Sequence, residues 1–211
     1  MPVLLTVDRL TLARGGRRLV ADLSFSLAGG EALVVTGPNG AGKSTLLRAL
    51  AGLLRPVAGS VALSGEGIDP DDPAAAHAHY VGHADAMKSA LTARENLAFW
   101  SAALGGRGAQ PRASASPDAV LGRIGLPQVA DLPTGWLSAG QKRRVALGRL
   151  FVAPRPLWIL DEPATALDRA AQGRLAGEMA AHRRGGGLII AATHAPLGLE
   201  DAGELRLGES A

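Results

Sequence analysis

Eight residues restrict this chain more than any other feature. Gly37-Pro38-Asn39-Gly40-Ala41-Gly42-Lys43-Ser44 reads G-x-x-x-x-G-K-[ST], and its setting matches its content. Before it, Ala32-Leu33-Val34-Val35-Thr36 is an unbroken apolar run, the form of a strand buried on both faces. After it, leucines at 46, 47, 50, 53 and 54 recur at helical spacing until Arg55-Pro56, which predicts a helix running to that point. A glycine-rich turn between such a strand and such a helix lets backbone amides and the positive helix end surround phosphate oxygens. Lys43 adds a point charge, and the Ser44 hydroxyl is a Mg²⁺ ligand of the right kind.

The remaining pattern extends this into an α/β domain. From Val3 to Thr36 apolar and polar residues alternate, as in Leu23, Phe25 and Leu27 interleaved with Ser24 and Ser26, which predicts strands. Arg14-Gly15-Gly16-Arg17 and Ala28-Gly29-Gly30-Glu31 read as turns between them. Leu157–Leu160 and Leu188–Ala192 repeat the doubly buried form with helical stretches before them, and three such strands argue for a parallel sheet. Glu66–Ala78 reads as a loop and Gly105–Asp118 as a mobile one, while Thr92-Ala93-Arg94-Glu95 has the form of a capping box before a helix to Leu104. Helices are also expected after Ser138 and after Asp168.

Composition removes several function classes. The chain has 211 residues, enough for one ordinary domain, and no Cys, which excludes disulfides, thiolate metal sites and a thiol nucleophile. Its apolar runs are far shorter than the roughly 18 residues a spanning helix needs, so no direct membrane span is expected. The start, Met-Pro-Val-Leu-Leu-Thr-Val-Asp, lacks the form of an export signal, and a cytoplasmic location is expected. Net charge is only +3 and aromatic residues make up 3%, which does not suit a nucleic-acid surface of interleaved Arg and aromatics. No nucleic-acid partner is expected.

Pro156-Leu157-Trp158-Ile159-Leu160-Asp161-Glu162-Pro163 is a buried strand ending in two carboxylates, whose carboxyl end faces the crevice of the phosphate loop in a parallel sheet. Asp161 there suits a Mg²⁺ ion and Glu162 suits polarisation of an attacking water. Leu137-Ser138-Ala139-Gly140-Gln141 follows the S-x-x-Q capping pattern, so Ser138 caps a helix, forms an anion site, or does both.

With these motifs in this order, the chain resembles the ATP-binding subunits of ABC transporters over essentially its whole length. Their signature Leu-Ser-Gly-Gly-Gln is matched except at Ala139. The resemblance implies a P-loop NTPase fold: a RecA-like parallel-sheet core, an N-terminal antiparallel β-subdomain and an inserted α-helical subdomain. It implies one domain over 1–211, divided into a nucleotide-binding core of about 1–82 and 152–211 and a helical part of about 83–151. ATP and Mg²⁺ are then the expected ligands. Residues Gly37, Pro38, Asn39, Gly40, Ala41, Gly42, Lys43, Ser44 and Thr45 would cradle the phosphates, Ser44 and Asp161 would hold the metal, and Lys43, Glu162 and His194 would form the catalytic set. Ser138, Ala139, Gly140 and Gln141 would close over the γ-phosphate bound by a second copy, so a functional homodimer is implied. Ala166-Leu167-Asp168 looks like the family's interface loop, although Asp168 also fits a helix N-cap. Thr193-His194 looks like the histidine that senses the γ-phosphate, although a packed core histidine reads the same way.

Two departures narrow the resemblance. His83, in Tyr80-Val81-Gly82-His83, stands where the family usually has Gln, and an imidazole lacks the amide's paired donor and acceptor. Arg14 stands near the usual adenine-stacking aromatic; its guanidinium can stack on a base or lie in solvent. Together with the Ser-Ala-Gly-Gln signature and the Leu91-Thr92-Ala93-Arg94-Glu95-Asn96-Leu97 run, these departures resemble the haem-exporter branch, which serves cytochrome c maturation. That branch implies integral membrane permease partners of haem-exporter type and a peripheral position on the cytoplasmic face of the bacterial inner membrane. A motor for another solute, lipid or drug, or a soluble non-transport ATPase of the same family, shares most of these motifs. The His77-x-His79 pair, on an Asp/Pro-rich stretch, is not expected to be a ligand set.

Overall fold

The alternating N-terminal pattern becomes two long antiparallel strands, β1 (Leu4–Arg14) and β2 (Arg17–Ala28), joined by a turn at Gly15-Gly16. The computed structural model describes residues 1–105, 115–194, 197–199 and 201–208. β1 changes phase partway: Leu5 and Val7 are buried, then Leu10 and Leu12, with Asp8 and Arg9 both exposed between them. A bulge accomplishes this, with Arg9 at φ 45 and its amide donating to Ser24 Oγ at 2.8 Å. A later strand, β4 (Ala58–Ser64), pairs with the other edge of β1, giving the sheet order β2-β1-β4.

The second sheet is parallel and carries the expected buried strands. β3 (Ala32–Thr36), β6 (Leu157–Asp161) and β7 (Leu188–Ala192) lie together, flanked by β5 (Ala78–Val81) and β8 (Gly203–Arg206), in the order β5-β6-β7-β3-β8. Every residue of β6 and β7 is buried, and period two divides them between two cores. Leu157, Ile159, Leu188 and Ile190 pack with the antiparallel sheet and α1 (Lys43–Leu50). Trp158, Leu160, Ile189 and Ala191 pack with α2 (Ala93–Leu104), α3 (Pro117–Arg123), α4 (Ala139–Val152) and α5 (Arg169–Arg184).

Three expectations about local structure are corrected. The helix after the phosphate loop stops at Leu50, not at Arg55, because Gly52 takes φ 70 and a Schellman motif closes the end. There Gly52 N donates to Ala49 O at 3.0 Å and Leu53 N to Arg48 O at 2.8 Å. Residues 66–78 are not all loop, since a 3₁₀ turn over Ala74–His77 leads into β5. The mobile stretch expected over Gly105–Asp118 falls mostly outside the described residues, and its end instead begins α3, capped by Ser116, which accepts from Ala119 N. The capping box at Thr92 and Glu95 forms as expected, with both reciprocal hydrogen bonds. No described helix is long and apolar enough to cross a membrane.

The histidines of the expected non-ligand pair are core groups. His79, 1% exposed, lies 2.7 Å from Ala153 O through Nε2, and His77 faces Asp72 at 3.2 Å. Burial pushes the His79 imidazole down to about 3, and burial likewise pushes His182, stacked 3.9 Å from Trp158, down to about 4. Both are neutral in the fold but titrate near 6.5 when unfolded, so the unfolded chain binds more protons between those values. Stability is therefore fully present above about pH 6.5 and falls as pH drops towards 4, by up to about 1.4 kcal/mol per pH unit per histidine. Thermal melts at pH 7 and pH 5 should show the midpoint falling, and His182→Gln should reduce that fall; an unchanged pH dependence would contradict the burial of a neutral His182.

Candidate active site

The register of the parallel sheet places three chain turns at one edge. Val35 pairs with Ala192 across β3 and β7, and Asp161 pairs with Ala192 across β6 and β7. The segments that continue these strands therefore emerge side by side: the 37–44 loop, the Asp161–Pro163 turn and Thr193-His194. A cleft of about 450 Å³ opens there. Asn39, Gly40, Gly42, Lys43, Ser44 and Thr45 form one wall, and Asp161, Glu162 and His194 form the other. Arg14 and Leu19 reach in from β1 and β2.

The loop's conformation requires its glycines. Gly37 sits at φ 132, and a Cβ there would lie 2.3 Å from the carbonyl oxygen of Leu207, after β8. Lys43 Nζ donates to the carbonyls of Gly37 at 2.7 Å and Pro38 at 3.1 Å, so its ammonium is drawn over the loop. Gly42 precedes α1 with no side-chain cap, and the first turn holds no acidic residue. The first-turn amides of α1 and its positive end thus face the cleft without a competing carboxylate from that turn.

Across the cleft, Asp161 is buried, and the Tyr80 hydroxyl donates to its Oδ2 at 3.4 Å. Burial raises the Tyr80 hydroxyl above its ordinary pKa, and the nearby Arg48 of α1 opposes that rise. Glu162 takes φ 48, an uncommon conformation for an L residue, and turns its carboxylate to within 3.7 Å of His194 Nε2. His194 is exposed, which resolves the ambiguity of its sequence position: it is not a packed core histidine.

Other expected site residues lie apart from this cleft. The signature begins α4, where Ser138 accepts from Gln141 N at 3.2 Å and Gln141 Oε1 accepts from Ser138 N at 2.8 Å. Ser138 and Ala139 are exposed, and Gly140 packs against the Ala166 carbonyl. Asp168 caps α5, accepting from Ala171 N at 2.7 Å. His83 is exposed and lines a separate groove with Tyr80, Gly82 and Arg48.

Arg143 is absent from the residues expected at the site. In sequence it counts only towards net charge beside the signature, yet its side chain is buried, and all five N–H donors of its guanidinium are used. Nη2 donates to the carbonyls of Asp161 at 3.0 Å and Glu162 at 2.8 Å, and Nε to that of Pro163 at 3.2 Å. Nη1 donates to Gly82 O at 2.8 Å and Asp85 Oδ1 at 3.1 Å. Its only sequence signal is an arginine on the second turn of an expected helix, one position from another arginine.

A family model described as ABC transporter matches residues 20–165. The chain belongs to the ABC transporter family. Within it, the cytochrome c biogenesis ATP-binding export protein CcmA of Rhodopseudomonas palustris (strain BisB5) is 49% identical over 202 residues, 96% of each chain. The protein of that name from Paramagnetospirillum magneticum is 51% identical over 207 residues, covering 98% of this chain and 94% of its own. Among solved structures, the ATP-binding subunit of an ABC transporter superposes with a TM-score of 0.80 at 25% identity, over 97% of this chain and 85% of that one. A bacterial Atm1-family ABC exporter with ATP bound gives 0.77 at 26% identity, over 98% of this chain and 37% of that one. As an ABC family member the chain is an ATPase of transporter type, with the mixed α/β architecture of its relatives.

The geometry at Gly37 yields a direct test. Gly37→Ala sets a methyl against Leu207 O and forces a non-glycine into φ 132, a strain of order 1–3 kcal/mol before any clash. The variant should melt lower and bind a fluorescent ATP analogue at least tenfold more weakly. Unchanged binding would mean that the loop tolerates a different path.

Proposed function

We propose that this chain is the motor of an export complex in cytochrome c biogenesis and that its 450 Å³ cleft holds MgATP. The observation that carries the reading is the meeting of Lys43, Ser44, Asp161, Glu162 and His194 around one cleft. Lys43 and the loop amides would hold the β- and γ-phosphates, and Glu162 would align a water for attack, with His194 beside it. The metal fits the residues present. The Ser44 hydroxyl and the buried Asp161 carboxylate both line the cleft, so an ion here would take them with phosphate oxygens and water, which is the habit of Mg²⁺. Bound there, it would neutralise charge developing on the phosphates.

The capped signature Ser138–Gln141, exposed at Ser138 and Ala139, is not among the residues lining its own chain's cleft. We read it, with Asp168, as the surface that closes over the nucleotide of a second copy in a head-to-tail homodimer. Arg14 is read as the adenine contact and His83 as the link from the site to the helical part, about 83–151. Transport needs a path through the membrane, so integral permease subunits are the inferred partners, and the chain sits peripherally on the cytoplasmic face of the inner membrane. The near full-length likeness to cytochrome c biogenesis export proteins supports that process, and haem handling is the cargo chemistry we assign to it.

Two experiments test this. Glu162→Gln should retain ATP binding while slowing hydrolysis about 100-fold or more, the scale of a lost general base; full turnover would remove Glu162 from that role. Deletion of the gene should abolish covalent-haem staining of c-type cytochromes, and normal maturation would leave an ATPase with a different cargo.

A further inference from the structure

Glu162 occupies a backbone conformation that its own chemistry disfavours, and such conformations persist only where the surroundings hold them. Two contacts do so. The Glu162 amide donates to Ala192 O at 2.9 Å, at the end of β7, and its carbonyl accepts from Arg143 Nη2 at 2.8 Å. The peptide units on either side of the Glu162 Cα are thereby fixed, and with them the direction in which the side chain leaves the backbone. The neighbouring carbonyls of Asp161 and Pro163 are bound by the same guanidinium, so the turn cannot rotate without breaking several buried hydrogen bonds at once.

The opposite side of the guanidinium holds the stretch after β5, through Gly82 O and the carboxylate of Asp85. Arg149, a turn and a half further along α4, also donates to Asp85 O while its guanidinium lies 4.3 Å from the Trp100 ring centroid. The arginine at 143 therefore joins three segments: the helix that begins with the signature, the turn that carries both carboxylates, and the loop that carries His83. A lysine has neither the planar fork nor enough donors to make these bonds.

We propose that Arg143 is a positioning residue for ATP hydrolysis, setting the placement of the Glu162 carboxylate without touching nucleotide. The proposal rests on the reading of Glu162 as the group that aligns water. A carboxylate displaced by about 1 Å loses rate on the order of 100-fold while substrate binding, which depends on the opposite wall, is spared.

The test measures ATP hydrolysis by the full chain in membranes containing its permease partners, with thermal melting as the folding control. Arg143→Lys should lower kcat at least tenfold with KM for MgATP within twofold. Asp85→Ala, which keeps the arginine but removes its charged partner, should lower kcat about threefold in the same pattern. Combined with Glu162→Gln, Arg143→Lys should add no further loss, since both act on one step. A kcat within twofold of the parent for folded Arg143→Lys overturns the proposal, as does a loss that appears in KM or multiplies with that of Glu162→Gln. If the lysine variant does not fold, Asp85→Ala decides, and an unchanged kcat overturns the proposal. Failure of the underlying reading looks different: Glu162→Gln itself would hydrolyse ATP at the parent rate.

Discussion

The shared level at which β3, β6 and β7 end is the constraint on which the site depends. Parallel strands in register deliver their following turns to one edge, and here the pairing of Val35 and Asp161 with the same Ala192 sets that level. A one-residue slip of β6 would reverse which of its side chains face each core, moving Trp158 and Leu160 to the side now filled by Leu157 and Ile159. It would also turn Asp161 away from the cleft. The two cores therefore fix the chemistry as firmly as they fix the fold, because the same period-two pattern that buries the strands sets the direction of their terminal carboxylates.

Much of this was legible in the residues, for identifiable reasons. The three central strands are apolar on both faces and bounded by glycine, proline or charge, so no solvent-facing pattern competes with the reading. The caps at Thr92, Ser138 and Asp168 were visible because a capping interaction spans only three residues. The spacing overstates the extent of α1 because Leu53 and Leu54 continue the helical pattern past a glycine whose positive φ ends the helix. β4 and the bulge in β1 were hidden by long-range pairing: nothing local to Asp8-Arg9 announces a phase change that exists only against β2 and β4.

The site itself divides along the same line. Lys43, Ser44, Asp161 and Glu162, which line one cleft, can be singled out from sequence because their spacing within a segment carries their chemistry. Tyr80 and Arg143 cannot, because each acts across the fold, Tyr80 on a carboxylate of another strand and Arg143 on backbone carbonyls. A carbonyl acceptor belongs to every residue and leaves no mark on composition. An arginine that will be buried among carbonyls therefore reads, in sequence, as one more surface charge.

The altered signature separates what internal packing demands from what the outer surface leaves open within one motif. Gly140 cannot gain a Cβ without bringing it to 2.7 Å from Ala166 O, so its glycine is fixed by contact with the turn after Glu162. Position 139 carries no such demand: Ala139 is exposed at the first residue of α4, and alanine is the better helix former there. The chain's own fold accordingly retains one glycine and releases the other. The methyl of Ala139 adds bulk only to the exposed outer surface of the helix end. Any consequence of replacing the family's glycine at 139 must then be felt in how closely another molecule approaches that helix end, and not in the stability of this one.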